Sequence, residues 1–109
     1  MSYRVHELPR AKADKAAIVR WLAERSTPGA LAWLDAYDEM VGRLTRRANS
    51  FAEALENTDC PLEVRQALFK NRRGRVYRAL FTIDRQEVYI LRVRGPGQAP
   101  VDPDDLDAA

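Results

Sequence analysis

The chain has 109 residues, of which 46% are hydrophobic and 31% charged, and its formal net charge is +2. This length suffices for one domain with its own apolar core, so neither a disulfide nor a structural metal is required. The single cysteine, Cys60, excludes an internal disulfide, and the opening MSYRVHELPR lacks the apolar stretch of a secretory signal. No apolar run approaches the roughly 20 residues that span a bilayer. We therefore predict a soluble protein of the reducing cytoplasm.

The first half of the chain predicts one strand and two helices. SYRVHEL alternates apolar and polar residues, which indicates a short strand that Pro9 ends. Apolar residues at helical spacing predict an amphipathic helix over residues 11–25. Thr27 as the cap and Pro28 in the first turn predict a second helix that ends near Leu44. Because the connection is so short, the two helices should form an antiparallel hairpin.

The second half predicts a sheet. Ser50 and Glu53 have capping-box spacing, which indicates one further short helix. VRQALFK, RVYRALFTI and EVYILRVR then predict three strands, and the short connections NRRG and DRQ predict an antiparallel meander. We expect an α+β fold over residues 1–95, with the helices on one face of the sheet and the other face open to solvent or a partner. Residues 96–109, rich in proline and aspartate, predict an extended or disordered tail.

Charge is unevenly distributed along the chain. Residues 63–94 hold nine basic and three acidic side chains, whereas residues 95–109 hold four acidic side chains and no basic one. Such a local positive field attracts anions such as nucleic acid or an acidic peptide. The acidic tail, residues 102–107, is a candidate self-mask for the basic surface.

Arginines occupy the face of the meander that the helices are predicted to leave open. Strand alternation places Arg78 opposite Arg92, or opposite Arg94 after a slip of two residues, whereas a slip of one residue mixes apolar and charged positions and is rejected. Opposed like charges destabilise a sheet by several tenths of a kcal/mol, within the range of about 0.2–1 kcal/mol for cross-strand pairs. A phosphate or carboxylate between the guanidinium groups would reverse that cost. Alternatively, the arginine stems cover apolar neighbours and the charged heads reach water.

Other side chains give weaker signals. His6, the only histidine, lies on the first strand, away from the arginines, and is more typical of a solvent-facing strand residue than of a catalytic one. Cys60 has no second cysteine or nearby histidine, so neither a zinc site nor a thiol nucleophile is indicated. GPGQAP lacks the spacing of a phosphate-binding loop, so we predict no nucleotide cofactor and no metal.

The segments YRVHELPRAKADKAAIVRWLAERS, EVRQALFK and GRVYRALFTIDRQEVYILRVRG together resemble the RelE/ParE superfamily of type II toxin–antitoxin toxins, a group that includes plasmid stabilisation proteins. The resemblance covers residues 3–95. It implies a cytoplasmic toxin that inhibits growth, is neutralised by a cognate antitoxin protein and forms a hetero-oligomer with it.

The resemblance leaves two targets open, DNA gyrase for ParE-like toxins and ribosome-bound mRNA for RelE-like nucleases. In the RelE pattern, Arg78 matches the strand arginine at the scissile phosphate and Arg65 matches a basic residue of the preceding strand; Arg92 is a third catalytic candidate. The end of the chain, GPGQAPVDPDDL, lacks the further arginine, tyrosine and histidine of such nucleases, and the histidine-containing segment of ParE-like toxins is missing as well. Arginine is a poor general base because its pKa is very high.

Gyrase inhibition is therefore favoured over RNA cleavage, and a decayed toxin that only binds is a third possibility. The arginines predicted to bind the anionic partner are Arg65, Arg73, Arg75, Arg78, Arg92 and Arg94. Lys70 and Arg72 could extend this surface.

Overall fold

The computed structural model describes residues 2–59, 62–102 and 105–106. The predictions for Cys60 and for part of the tail fall outside these ranges. In chain order, the helices and strands are β1 (Arg4–Glu7), α1 (Pro9–Ala23), α2 (Thr27–Arg47), two short 3₁₀ helices (Ala48–Ser50 and Leu55–Asp59), β2 (Arg65–Lys70), β3 (Val76–Asp84) and β4 (Glu87–Arg94).

Local sequence explains where the helices begin. Pro9 lies in the first turn of α1, where its fixed φ fits the helix and its missing N–H would have no intrahelical acceptor. The cap of α2 is Ser26 rather than the predicted Thr27, because the Ser26 hydroxyl accepts a hydrogen bond from the Gly29 N–H at 3.0 Å. No helix in the described part of the chain combines the length and apolar character needed to span a membrane.

The four strands form one sheet in the order β1-β4-β3-β2. β2, β3 and β4 are the predicted antiparallel meander, and α1 and α2 pack on one face, so the α+β fold is confirmed. β1 pairs in parallel with β4, with Arg4 opposite Glu87. The sheet therefore joins the start of the domain to its last strand.

A β-bulge divides the β3–β4 pairing into two registers. Arg78 lies opposite Arg94, which is the register predicted after a slip of two residues. Beyond the bulge, Phe81 lies opposite Ile90 and Leu91 has no partner on β3. This second register is the slip of one residue that the sequence analysis rejects, so the rejection was wrong for this part of the hairpin. The extra residue is tolerated because a bulge lets two residues of one strand oppose one residue of the other.

The bulge changes which side chains of β4 face the helices. Val88 and Ile90 are fully buried with the helices, whereas Tyr89 and Leu91 pack on the opposite face. Strict alternation along β4 predicts Tyr89 and Leu91 on the same side as Val93, against the helices, and this prediction is wrong. A bulge reverses the in–out alternation, which a pattern of strict period two cannot anticipate.

Aromatic side chains fill the core between the helices and the sheet. Trp33, at 0% exposure, lies at the centre of this core. Its ring centroid is 5.4 Å from that of Tyr37, 5.5 Å from that of Phe69 and 5.6 Å from that of Tyr77. We call this side of the sheet the helix face.

The opposite side, which we call the tail face, has an apolar cluster of its own. Leu80 and Leu91 of the sheet pack with Val64 and with two tail residues, Val101 and Leu106, all of them buried. The prediction that this face is open was wrong over this cluster. Because the bulge places Leu91 on this face beside Leu80, it creates apolar surface that a short covering segment can remove from water.

Candidate functional site on the tail face

Arg78 is held by a carboxylate that its position on β3 does not reveal. Its Nη1 donates to Oε1 of Glu56 at 2.9 Å and its Nη2 donates to Oε2 at 2.7 Å. The Glu56 side chain is 1% exposed and that of Arg78 20% exposed. Such a bidentate pair between a planar guanidinium and a carboxylate is among the stronger polar contacts in proteins.

Glu56 also binds the tail. Its Oε2 accepts a hydrogen bond from the backbone N–H of Val101 at 2.9 Å. Burial by itself would raise the pKa of Glu56, but the hydrogen bond from Arg78 and those from backbone N–H groups outweigh burial and lower it. One ionised carboxylate therefore joins β3 to the segment that covers the tail face.

A second pair fixes Arg92. Its Nε donates to Oδ2 of Asp14 at 2.7 Å and its Nη2 donates to Oδ1 at 2.9 Å. Oδ2 of Asp14 also accepts the backbone N–H of Val93 at 2.9 Å. The hydrogen bond from Arg92 to Asp14 raises the pKa of the guanidinium. Because Asp14 belongs to α1, this pair ties the first helix to the last strand.

These two contacts answer the question that the opposed arginines raise. The chain itself supplies carboxylates to Arg78 and Arg92, from a 3₁₀ helix and from α1. Arg94, opposite Arg78, donates from Nη2 to the carbonyl oxygen of Ala99 at 2.7 Å. An external anion at Arg78 or Arg92 would therefore have to displace Glu56 or Asp14.

Arg65 supports the loop before β2. Its Nη1 donates to the carbonyl oxygen of Phe51 at 2.6 Å, and its Nη2 donates to Oε1 of Glu63 at 2.8 Å. These contacts stabilise the loop, and they account for the partly buried position of the Arg65 side chain without a bound substrate.

Arg73 and Arg75 differ from the other predicted site residues. They lie on the turn between β2 and β3 with exposed side chains, and neither takes part in a salt bridge with a described carboxylate. The backbone N–H groups of both donate to Oδ1 of Asn71. The predicted arginine site thus divides into paired side chains on the sheet and unpaired side chains at this turn.

Two further groups of titratable side chains lie on and beside β1. His6 stacks on Tyr89 with ring centroids 5.2 Å apart, and its Nε2 is 2.8 Å from Oε1 of Glu87. Oε2 of Glu7 accepts from the Tyr37 hydroxyl at 2.6 Å and from Nζ of Lys15 at 3.1 Å.

Burial opposes ionisation of Glu7, but the hydrogen bonds from Tyr37 and Lys15 outweigh burial and lower its pKa. The pKa of Tyr37 is raised by burial and by its bond to Glu7. These contacts anchor β1 to both helices. Within residues 2–59, 62–102 and 105–106, no three His, Cys, Asp or Glu side chains are grouped so as to hold a metal ion.

Sequence reasoning missed Glu56, Asp14 and Glu7, three carboxylates that accept hydrogen bonds from Arg78, Arg92 and Tyr37. Glu56 lies in a segment without clear periodicity. Asp14 and Glu7 are recognisable only once α1 is placed beside β4 and β1, which needs the parallel pairing that the pattern did not predict.

Comparison with known proteins identifies the fold. No protein-family model matches the sequence, and no curated protein matches it. Among solved structures, a chain described as "Chromosomal ParDE TA system from P. aeruginosa" matches with a TM-score of 0.65 and 25% sequence identity. The match covers 86% of this chain and 96% of that one. The resemblance inferred from the sequence is thereby confirmed, and the chain has the fold of a ParE/RelE-type toxin.

Proposed function

We propose that this chain is the toxin of a type II toxin–antitoxin system and that a cognate antitoxin protein neutralises it in a hetero-oligomer. The observation that carries this proposal is the structural match to a chain of a ParDE toxin–antitoxin system, because it spans nearly the whole of both chains. The toxin domain comprises residues 1–95, and Val101 and Leu106 of the tail that follows it cover part of its sheet.

DNA gyrase is the target that the side chains favour. A nuclease needs proton transfer as well as phosphate neutralisation. Arg78 and Arg92 are engaged by Glu56 and Asp14, and arginine does not release its proton near neutral pH. The single histidine, His6, lies beside Glu87 on the edge of the sheet. Inhibition of an enzyme by binding needs none of these proton transfers.

The basic surface is the part of the chain that we propose meets the target. Of the six arginines predicted for this surface, Arg73 and Arg75 are exposed, whereas the four on the strands are partly buried: Arg65, Arg78, Arg92 and Arg94. If the chain instead cleaved mRNA, Arg65, Arg78 and Arg92 would have to bind the phosphates, and the carboxylates of Glu56 and Asp14 would first have to leave.

The test is induced expression in a bacterial host, with plasmid topology and mRNA 5′ ends measured in the same cells. We expect growth arrest with altered supercoiling and intact messages. Codon-phased cuts in mRNA would establish the nuclease instead, and unaffected growth would overturn the assignment of an active toxin. Purified gyrase with the purified chain then tests direct inhibition of supercoiling.

A matched pair of variants tests the surface. Arg73→Ala combined with Arg75→Ala should weaken growth arrest, because both side chains are exposed and their loss leaves the core intact. Lys12→Ala combined with Arg20→Ala removes the same charge from exposed positions of α1 and should leave growth arrest unchanged. Equal loss in both double variants would contradict a specific role for the turn.

A further inference from the structure

The turn between β2 and β3 concentrates positive charge that no carboxylate in the described part of the chain neutralises. Residues 64–83 contain six basic side chains and no acidic one. Four of the six lie within residues 70–75, and all four are exposed: Lys70, Arg72, Arg73 and Arg75. None of them takes part in the salt bridges formed by the described residues. We call residues 70–75 the basic turn.

The backbone of the basic turn is fixed before any ligand arrives. The Asn71 N–H donates to the carbonyl oxygen of Arg75, and the Gly74 N–H donates to that of Asn71, each at 3.0 Å. Oδ1 of Asn71 accepts from the N–H groups of Arg73 and Arg75 at 3.0 and 2.9 Å. Gly74 has φ +79°, a conformation that glycine adopts without strain. A fixed backbone lowers the entropy lost when the side chains bind.

The composition of the basic turn selects among anionic partners. KNRRGR contains no apolar or aromatic side chain. Protein interfaces depend on buried aromatic and aliphatic anchors, and single-stranded nucleic acids are held by stacking on aromatic rings. A duplex phosphate backbone requires only positive charge and hydrogen-bond donors, which arginine supplies as a planar fork.

The shape of the element favours DNA over RNA. The basic turn connects β2 and β3, two adjacent antiparallel strands of the four-stranded sheet. Val76 and Tyr77 pair with β2 but precede Arg78, the first residue of β3 that pairs with β4, so the hairpin ends at the turn as a short two-stranded ribbon. The major groove of B-form DNA admits such a ribbon, whereas the major groove of A-form RNA is too narrow for side chains to read.

We propose that the basic turn binds the phosphate backbone of duplex DNA. DNA binding goes beyond gyrase inhibition, because the chain would bind DNA in the absence of gyrase. Absence of DNA binding by the unmodified chain, with gyrase inhibition present, would overturn only this inference. DNA binding with unaffected gyrase would overturn only the proposed target.

The test measures fluorescence anisotropy of a labelled DNA duplex of about 20 base pairs, two helical turns, with the full chain at a series of salt concentrations. Four phosphate contacts predict that log K falls with log salt with a slope of about −3 to −4. Arg72→Glu combined with Arg73→Glu should weaken binding by at least about tenfold at low salt, because two contacts become repulsive.

Lys12→Glu combined with Arg20→Glu is the matched control, because it changes the net charge equally at exposed positions of α1. It should change the affinity less than about threefold, since no phosphate contact is removed. Circular dichroism verifies that both variants are folded. Absence of DNA binding at low salt, equal weakening by the control, or equal or tighter binding of duplex RNA or polyglutamate would each overturn the proposal.

Discussion

The two faces of the sheet are covered in different ways. The helix face lies under two long helices, and its core is built from aromatic and aliphatic side chains around Trp33. The tail face lies under short segments, and its smaller apolar cluster adjoins the pair of Arg78 with Glu56. The helix face is therefore stabilised by packing. The segments that cover the tail face are held also by an ion pair, whose carboxylate becomes neutral in acid.

The largest expected effect comes from the helix face. Trp33→Ala removes a fully buried ring and should lower the free energy of unfolding by about 3–5 kcal/mol. Urea denaturation measures this loss. Trp21 is 53% exposed and stacks on Arg25, so Trp21→Ala should cost about 1 kcal/mol or less. Similar losses in the two variants would contradict the assignment of Trp33 to the core.

On the tail face, the largest effect should come from the ion pair. Glu56→Gln leaves Arg78 with no carboxylate and should cost about 2–3 kcal/mol, less than a fully buried pair because Arg78 keeps partial access to water. A double-mutant cycle with Arg78→Met separates the pair from other contacts. Additive losses would show that the two side chains are not coupled.

The tail should contribute a smaller amount. Leu106→Ala removes a buried side chain held by one short segment, and we expect a loss of about 2 kcal/mol, at the low end for leucine, because the segment can readjust. Leu55, at 69% exposure, offers a control whose replacement by alanine should change stability by less than about 0.5 kcal/mol. An unchanged urea midpoint for Leu106→Ala would contradict tail packing.

Acid should weaken the ion-pair contribution progressively. The pKa of Glu56 is lowered in the folded chain, so its stabilisation is complete above the ordinary glutamate pKa of about 4.3 and is lost as pH falls through the folded pKa. The difference in urea midpoint between the wild type and Glu56→Gln should therefore shrink from neutral pH to about pH 3. A difference that stays constant over that range would contradict an ionised, hydrogen-bonded Glu56.

Local sequence patterns predict the helices and strands of this fold better than they predict which residues of different elements meet. The helices and the meander follow from periodicity and turn residues, and alternation narrows the partner of Arg78 to Arg92 or Arg94, of which the structure has Arg94. The bulge at Leu91 does not, because one unpaired residue leaves no mark in a pattern of period two. Glu56 could not be assigned to Arg78 either, because a contact between residues 22 positions apart depends on how the intervening loop folds.

The same limitation applies to prediction of the candidate site from the sequence. The local excess of charge in the sequence predicts a basic surface, but charge counting cannot distinguish an arginine neutralised by its own chain from one at an exposed turn. Arg78 and Arg75 are alike in the sequence and differ in the folded protein, because only Arg78 meets a buried carboxylate.

The parallel pairing of β1 with β4 delays completion of the sheet during synthesis. Arg4 bonds to Glu87 across a separation of 83 residues, and contacts between such distant positions form late because the long loop between them must close first. On the ribosome, β1 emerges before both helices and the strands β2 and β3, and its partner β4 emerges after them. The four-stranded sheet is therefore completed only after β4 has been made, so a partner that recognises the finished sheet has no binding surface on the early nascent chain.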